Sequence, residues 1–210
     1  MEWKDSETLK NLMHAFAGES QARNKYTFYA QKARQEGLEV LAAVWEDTAR
    51  NEQAHAKAWF NLMHGGGIPD SLQNLRDSAE GEDFECRKMY PAFAETAQKE
   101  GFSGVAARMQ AVAAIEGRHR DRFLDLHERF SEDRLFRGSD QTLWICRNCG
   151  FILQTATPPE KCPVCLHPKG WFEPAASYRF SEQFPVPLGK GNKKAPAVPF
   201  LASAGAFLER

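Results

Sequence analysis

The chain lacks any apolar run long enough to span a bilayer, so no membrane partner is expected. It also lacks an excess of either charge. Lys and Arg total 27 against 28 Asp and Glu, leaving a net charge of −1. That balance leaves no electrostatic footprint for nucleic acid or an anionic surface, and no nucleic-acid partner is expected. The opening MEWKDSETLK lacks the apolar core of a secretory signal. A cytoplasmic location is the expectation. From about residue 4 to 130, Gly and Pro are sparse and Ala, Leu, Glu, Lys, Arg and Gln dominate, which favours helix. Cysteines number only five, and four of them form two C-x-x-C knuckles. In a reducing compartment that spacing reads as metal binding before disulfides.

The helical stretch divides into four. A first helix is predicted from about Lys4 to Glu36, with Leu9, Leu12, Met13 and Phe16 on one stripe. Gly37 ends it. A second runs from about Leu38 to His64, and Gly65-Gly66-Gly67-Ile68-Pro69 breaks the pattern. Asp70 or Ser71 can cap a third, continuing to about Glu100. Gly101 ends that one, and a fourth runs from Phe102 to about Phe130. Two tight Gly connections imply antiparallel hairpins, and four such helices suggest an all-α four-helix bundle over residues 1–134.

The first hairpin repeats in the second at an offset of 64 residues. The offset maps Arg23 to Arg87, Tyr26 to Tyr90, Ala30 to Ala94 and Gly37 to Gly101. It also maps Glu52 and His55 onto Glu116 and His119. Residues three apart share a helix face, so each Glu-x-x-His pair aims a carboxylate and an imidazole at one spot. A single such pair is weak; a duplicated pair in register is strong. Two pairs plus carboxylates from two other helices form the recipe for a dinuclear metal site in a bundle.

The remaining carboxylates are expected from helices one and three: Glu19, and the pair Glu82 and Glu85. Here the repeat slips. Shifted by 64, Glu19 falls on Asp83, between the two. An extra residue inside a helix commonly forms a π-bulge, and such bulges favour functional sites. The ligand set is therefore Glu19, Glu52, His55, Glu82, Glu85, Glu116 and His119. Five carboxylates with two imidazoles favour iron or manganese. Without metal they would repel one another and their pKa values would rise. Tyr26 and Tyr90 are either core aromatics or hydrogen-bond partners of the ligand carboxylates. His14, His64 and His127 read as surface histidines, and Cys86 as a small buried residue rather than a reactive thiol.

Cys146, Cys149, Cys162 and Cys165 can close a tetrahedral sulfur site for zinc or iron. Trp144, Phe151, Trp171 and Phe172 can wrap it in an apolar shell. That shell suits an electron-transfer iron and equally the core of a small zinc ribbon.

Several stretches carry a family resemblance: AFAGESQARNKY, ARNEQAHAKAWF, AEGEDFECRKMYPAFAETA, AAIEGRHRDRF, WICRNCG and KCPVCLHPKGWFE. Over about residues 5 to 178 the chain resembles the rubrerythrins, and its cysteine-bearing part is similar to rubredoxin. The resemblance implies a ferritin-like diiron bundle with a small β-rich rubredoxin-like domain over residues 135–180. It implies two non-haem irons on the seven bundle ligands and iron rather than zinc on the four cysteines. It implies a peroxidase that reduces hydrogen peroxide to water, protective in oxidative stress. Electrons would come from an NAD(P)H-dependent reductase or rubredoxin, through the four-cysteine iron. It further implies a homodimer, and exchange of a carboxylate for His55 at one iron as its oxidation state changes. The competing functions are a ferroxidase or iron-storage protein and a non-enzymatic redox sensor. Residues 181–210 depart from the family pattern and read as a flexible tail or as an apolar segment that docks on a subunit.

Overall fold

A computed structural model of the chain describes residues 2–175. The 181–210 tail and the last residues of the expected small domain lie outside the described residues. The chain divides into two compact units, Met1–Gly81 and Glu82–Arg210.

The first unit opens with a 3₁₀ turn, Trp3–Asp5, where a continuous helix was expected. Ser6 interrupts it. Its Oγ accepts from the Leu9 N–H at 3.1 Å, capping α1 (Glu7–Gln35). At the other end Gly37 sits at φ +75°. There the Leu38 N–H reaches the Ala33 carbonyl at 2.9 Å and the Gly37 N–H reaches that of Arg34 at 3.0 Å. This double closure satisfies the last carbonyls and turns the chain into α2 (Glu39–Met63). Ala30, Ala33 and Ala42 are buried where the helices meet, with Trp45 against them. Arg34 joins α1 to α2 through a two-pronged pair with Glu46, one prong at 2.8 Å. Asp70, rather than Ser71, caps α3 (Ser71–Phe84), its Oδ1 accepting from the Gln73 N–H at 2.9 Å.

The second unit begins at Glu82, in the last turn of α3. The expected single third helix is not uniform. Glu85–Met89 form a π-helical turn before α4 (Tyr90–Lys99) resumes. The one-residue slip in the repeat is this turn. Gly101, at φ +87°, repeats the closure seen at Gly37, with Phe102 N–H to Ala97 carbonyl at 2.8 Å. It leads to α5 (Ser103–Ser131). Ala94, Ala97 and Ala106 are buried, each the offset partner of a buried alanine in the first hairpin. Small residues at these matched positions let each helix pair approach closely. Among the described residues, no helix is long and apolar enough to cross a membrane.

Beyond α5 lies a three-stranded antiparallel sheet in the order β2 (Ile152–Gln154), β1 (Leu143–Cys146), β3 (Phe172–Pro174). Its core is Trp144, Cys146, Leu153, Cys162 and Phe172, with Phe136 and Phe151 packed against it. The Trp144 indole N–H donates to the Thr155 carbonyl at 2.9 Å, so the buried ring leaves no donor unpaired.

Candidate metal centres

Three clusters of metal-binding side chains occur among the described residues, and each lies within one unit. In the first unit, Glu19 on α1 meets Glu52 and His55 on α2. His55 Nδ1 lies 3.0 Å from Glu52 Oε2 and 3.8 Å from Glu19 Oε1. In the second unit, Glu82 meets Glu116 and His119 on α5. His119 Nδ1 lies 2.7 Å from Glu116 Oε2 and 3.7 Å from Glu82 Oε1. The two clusters therefore match in composition and in contact order. The i, i+3 spacing sets the short contact, and the facing helix supplies the longer one.

In each cluster the donor atoms lie within 4.8 Å of one another, close enough to share a cation. The carboxylates are partly buried and the imidazoles about half exposed, at 56% for His55 and 48% for His119. Burial raises the Glu82 carboxyl above its ordinary range, and the nearby Glu116 and Glu85 carboxylates add to that rise, partly offset by His119. A cation at this point would remove the repulsion. Hard oxygens with one imidazole suit iron or manganese.

Glu85, the first residue of the π turn, is half-buried and lies outside the close cluster. Its charge still acts on Glu82. Tyr26 and Tyr90 are half-buried, with the Tyr26 ring centroid 6.3 Å from that of Tyr29. Among the described residues, neither tyrosine hydroxyl hydrogen-bonds a ligand carboxylate. Two features had not been expected. Asp83, between the two candidate ligands, forms an ion pair with Arg87 Nε at 2.8 Å and accepts from Arg120 Nη1 at 3.2 Å. Cys86 packs beside Gly117, on the helix that carries Glu116 and His119.

The four cysteines converge as well. Cys146 Sγ lies 3.7 Å from Cys165 Sγ, and Cys149 Sγ lies 3.6 Å from Cys162 Sγ. A tetrahedron with metal–sulfur bonds of about 2.3 Å has an edge of about 3.8 Å, so the thiols already stand at coordination distance. Each knuckle closes in the same way. The Gly150 N–H bonds the Cys146 carbonyl at 2.8 Å, and the Leu166 N–H bonds that of Cys162 at 2.9 Å. Both closing residues have positive φ, +76° and +60°. Leu166 holds a conformation that favours glycine.

The thiols differ in acidity. A backbone hydrogen bond at His167 lowers the Cys165 thiol against desolvation, and Asn148 and the neighbouring thiols bring it to about 6. At Cys149 the Phe151 backbone hydrogen bond favours the thiolate. Desolvation and the other three cysteines outweigh it, and the thiol rises to about 12. Metal binding at a four-cysteine site requires thiolates, so it releases the thiol protons that remain. Trp144 and Phe172 are buried beside Cys146 and Cys162, as the sequence suggested. Trp171 is not part of that shell. It is 42% exposed and sits edge-on to His167, with ring centroids 4.8 Å apart. Cys149 reaches the surface, so the site has one open side.

Comparison with known proteins agrees with this inventory. A family model described as rubrerythrin matches residues 10–127, and one described as the rubrerythrin rubredoxin-like domain matches residues 144–173. A rubrerythrin of Porphyromonas gingivalis is 42% identical over 182 residues, covering 81% of this chain and 91% of its own. A rubrerythrin of Nitratidesulfovibrio vulgaris is 40% identical over 181 residues, covering 81% of this chain and 95% of its own. A putative rubrerythrin of Methanocaldococcus jannaschii is 41% identical, covering 80% of this chain and 92% of its own. The chain belongs to the rubrerythrin family, typically diiron proteins of oxidative stress, with a ferritin-like rubrerythrin domain followed by a rubredoxin-like one.

Proposed function

We propose that this chain is a non-haem diiron peroxidase that reduces hydrogen peroxide to water. The observation that carries the reading is the pair of matched Glu–Glu–His clusters in a chain that also holds a four-thiolate site. In this reading the two clusters supply the two halves of one dinuclear centre. Glu19, Glu52 and His55 serve one half and Glu82, Glu116 and His119 the other, with Glu85 as a further carboxylate. The reaction takes one peroxide, two electrons and two protons to two waters. Iron held by these residues would, in its ferrous form, supply the two electrons that cleavage of the O–O bond requires.

The protein's own contribution is charge and order. Five carboxylates offset the cationic charge, and the i, i+3 pairs hold each imidazole with Nδ1 beside a carboxylate. The second carboxylate on the π turn gives one half an alternative ligand that the other half lacks. The four-cysteine site is the relay in this proposal. Its buried Cys146 and Cys162 lie under Trp144 and Phe172, while Cys149 meets solvent, where a donor can approach. The donor class is an NAD(P)H-dependent reductase or rubredoxin, and the assembly a homodimer in the cytoplasm. Tyr26 and Tyr90 line the helices one to two turns from the ligands and belong to the same proposal as supporting residues.

The test compares NADH-driven peroxide consumption, in the presence of a reductase, with oxygen-driven iron uptake. Peroxidase activity should dominate. Predominant iron uptake would replace the reading with a ferroxidase. A Cys162→Ser variant should keep one fast turnover of prereduced protein and lose sustained turnover. Undiminished sustained turnover would remove the relay role.

A further inference from the structure

A π turn leaves part of the backbone ladder loosened, and a ligand mounted on one is only as well placed as the turn. Two independent contacts hold this turn to α5. On the polar side, Asp83 Oδ1 forms an ion pair with Arg87, within the turn, at 2.8 Å and accepts from Arg120 on α5 at 3.2 Å. Arg120 is fixed in turn by Asp121, whose Oδ1 accepts from Nη2 at 2.7 Å and from Nε at 2.9 Å. The Arg120 side chain is only 17% exposed, so it is packed in place rather than extended into solvent. On the other side Cys86 abuts Gly117. A Cβ at Gly117 would stand 3.2 Å from Cys86 Sγ, tight enough that the sulfur and the turn carrying it must give way by a few tenths of an ångström.

The placement of these four residues is specific. Asp83 and Cys86 bracket the Glu85 end of the turn, while Gly117 and Arg120 flank His119 and follow Glu116. Each contact therefore ties one ligand-bearing segment to another. The Asp83 pair has a second consequence. Asp83 lies between Glu82 and Glu85 and would compete as a ligand if its carboxylate were free. Two guanidinium groups occupy it.

The first hairpin is an internal control. At the offset positions it has Gln53 and Ala56 in place of Gly117 and Arg120. Its α1 is regular through this region, and Ser20 Oγ bonds back to its own helix, to the Phe16 carbonyl at 2.7 Å. Thus the cross-helix contacts occur where the π turn occurs.

We propose that Asp83, Arg120, Cys86 and Gly117 are positioning residues that clamp the π turn, and with it Glu85, against α5. The inference rests on the diiron reading above and assigns the clamp the task of fixing the carboxylate that distinguishes the two halves. It predicts coupling between the two faces of one contact. In Gly117→Ala the new methyl displaces the turn. Cys86→Ala in the same chain removes the displaced sulfur and restores it.

The experiment uses full-length protein. Hydrogen exchange of amides 82–90 is measured without metal, and the ⁵⁷Fe Mössbauer spectrum is measured after iron loading. Gly117→Ala should speed exchange across residues 85–89 about tenfold and alter one of the two bundle-iron signals. The double variant should return both readouts toward wild type. Arg120→Ala should act in the same direction as Gly117→Ala, with partial recovery in Arg120→Lys. Wild-type exchange and spectrum in both Gly117→Ala and Arg120→Ala would overturn the inference alone. So would a double variant that behaves as Gly117→Ala does. A wild-type protein that takes up no bundle iron would instead overturn the diiron reading, and this inference with it.

Discussion

The two helical hairpins carry the same three-residue cluster on different backbones. In the first, α1 runs unbroken past Glu19, and the strongest cross-helix pair is Arg34 with Glu46, close to the Gly37 turn and far from the ligands. In the second, Gln98 and Gln110 stand at the equivalents of Arg34 and Glu46. The cross-helix charge pair has moved to Asp83 and Arg120, beside the ligands, where the backbone changes to a π turn. A regular helix places a carboxylate by its own hydrogen bonds and can be braced at a distance. An irregular one has to be braced where it is irregular. In the proposed function, that difference separates a half built for fixed ligation from a half that can offer Glu85 as a second carboxylate.

The largest effects should come from breaking either cluster. Glu52→Ala and Glu116→Ala should each cut bundle-iron affinity by more than about 100-fold, since each removes a proposed direct ligand where even supporting residues matter by about 10- to 100-fold. Iron per chain after desalting reads this out. Full retention in one variant alone would show that the halves are not equivalent.

A deletion of Lys88 would make the second hairpin the length of the first. Helical content should persist and iron should still bind, with Glu82 in the role of Glu19. Peroxide turnover should fall by about 10- to 100-fold, the scale of a misplacement of about 1 Å at a reacting centre. Steady-state kinetics with circular dichroism would check it, and unchanged turnover would show the π turn to be dispensable.

A smaller effect concerns pH. The Glu82 carboxyl is raised, first by burial and then by Glu116. The folded metal-free protein therefore binds a proton more tightly than the unfolded chain does. Its stability contribution is complete below the ordinary carboxylate range and is lost as pH rises through the raised value. Denaturant melts of metal-free protein should show stability declining over that window, with a shallower decline in Glu82→Gln. An equal decline in both would place the cause elsewhere.

The smallest effect is expected from Gln98→Arg with Gln110→Glu, which copies the Arg34–Glu46 pair into the second hairpin. Exposed pairs contribute little, so the melting temperature should rise by at most a few degrees, with iron binding unchanged.

Much of this was legible before any coordinates. The Glu-x-x-His repeat, the Gly37 and Gly101 turns and the two knuckles are local patterns, and local patterns survive folding. The π turn was legible as a count, because Glu82 to Gly101 holds one residue more than Glu19 to Gly37. The third helix still read as continuous, since helix propensity does not register a bulge. The Arg120–Asp83 contact joins residues 37 apart and leaves no periodic trace. A signal for the neighbouring Cys86–Gly117 contact was present: Gly117, a glycine inside a helix otherwise poor in them. Trp171 was misplaced for a different reason. Trp171 ends a 3₁₀ turn, Lys169–Trp171, while Phe172 opens β3, and proximity in sequence did not show that the structure changes between them. The early break at Ser6 shows a capping side chain overriding a helical composition.

The central claim is that one chain holds two matched iron-binding clusters and a four-thiolate iron. Metal analysis with ⁵⁷Fe Mössbauer spectroscopy on purified full-length protein tests it most directly. The account predicts three irons per chain, two in oxygen- and nitrogen-rich surroundings and one in a tetrahedral sulfur site. One zinc per chain and no iron would contradict it.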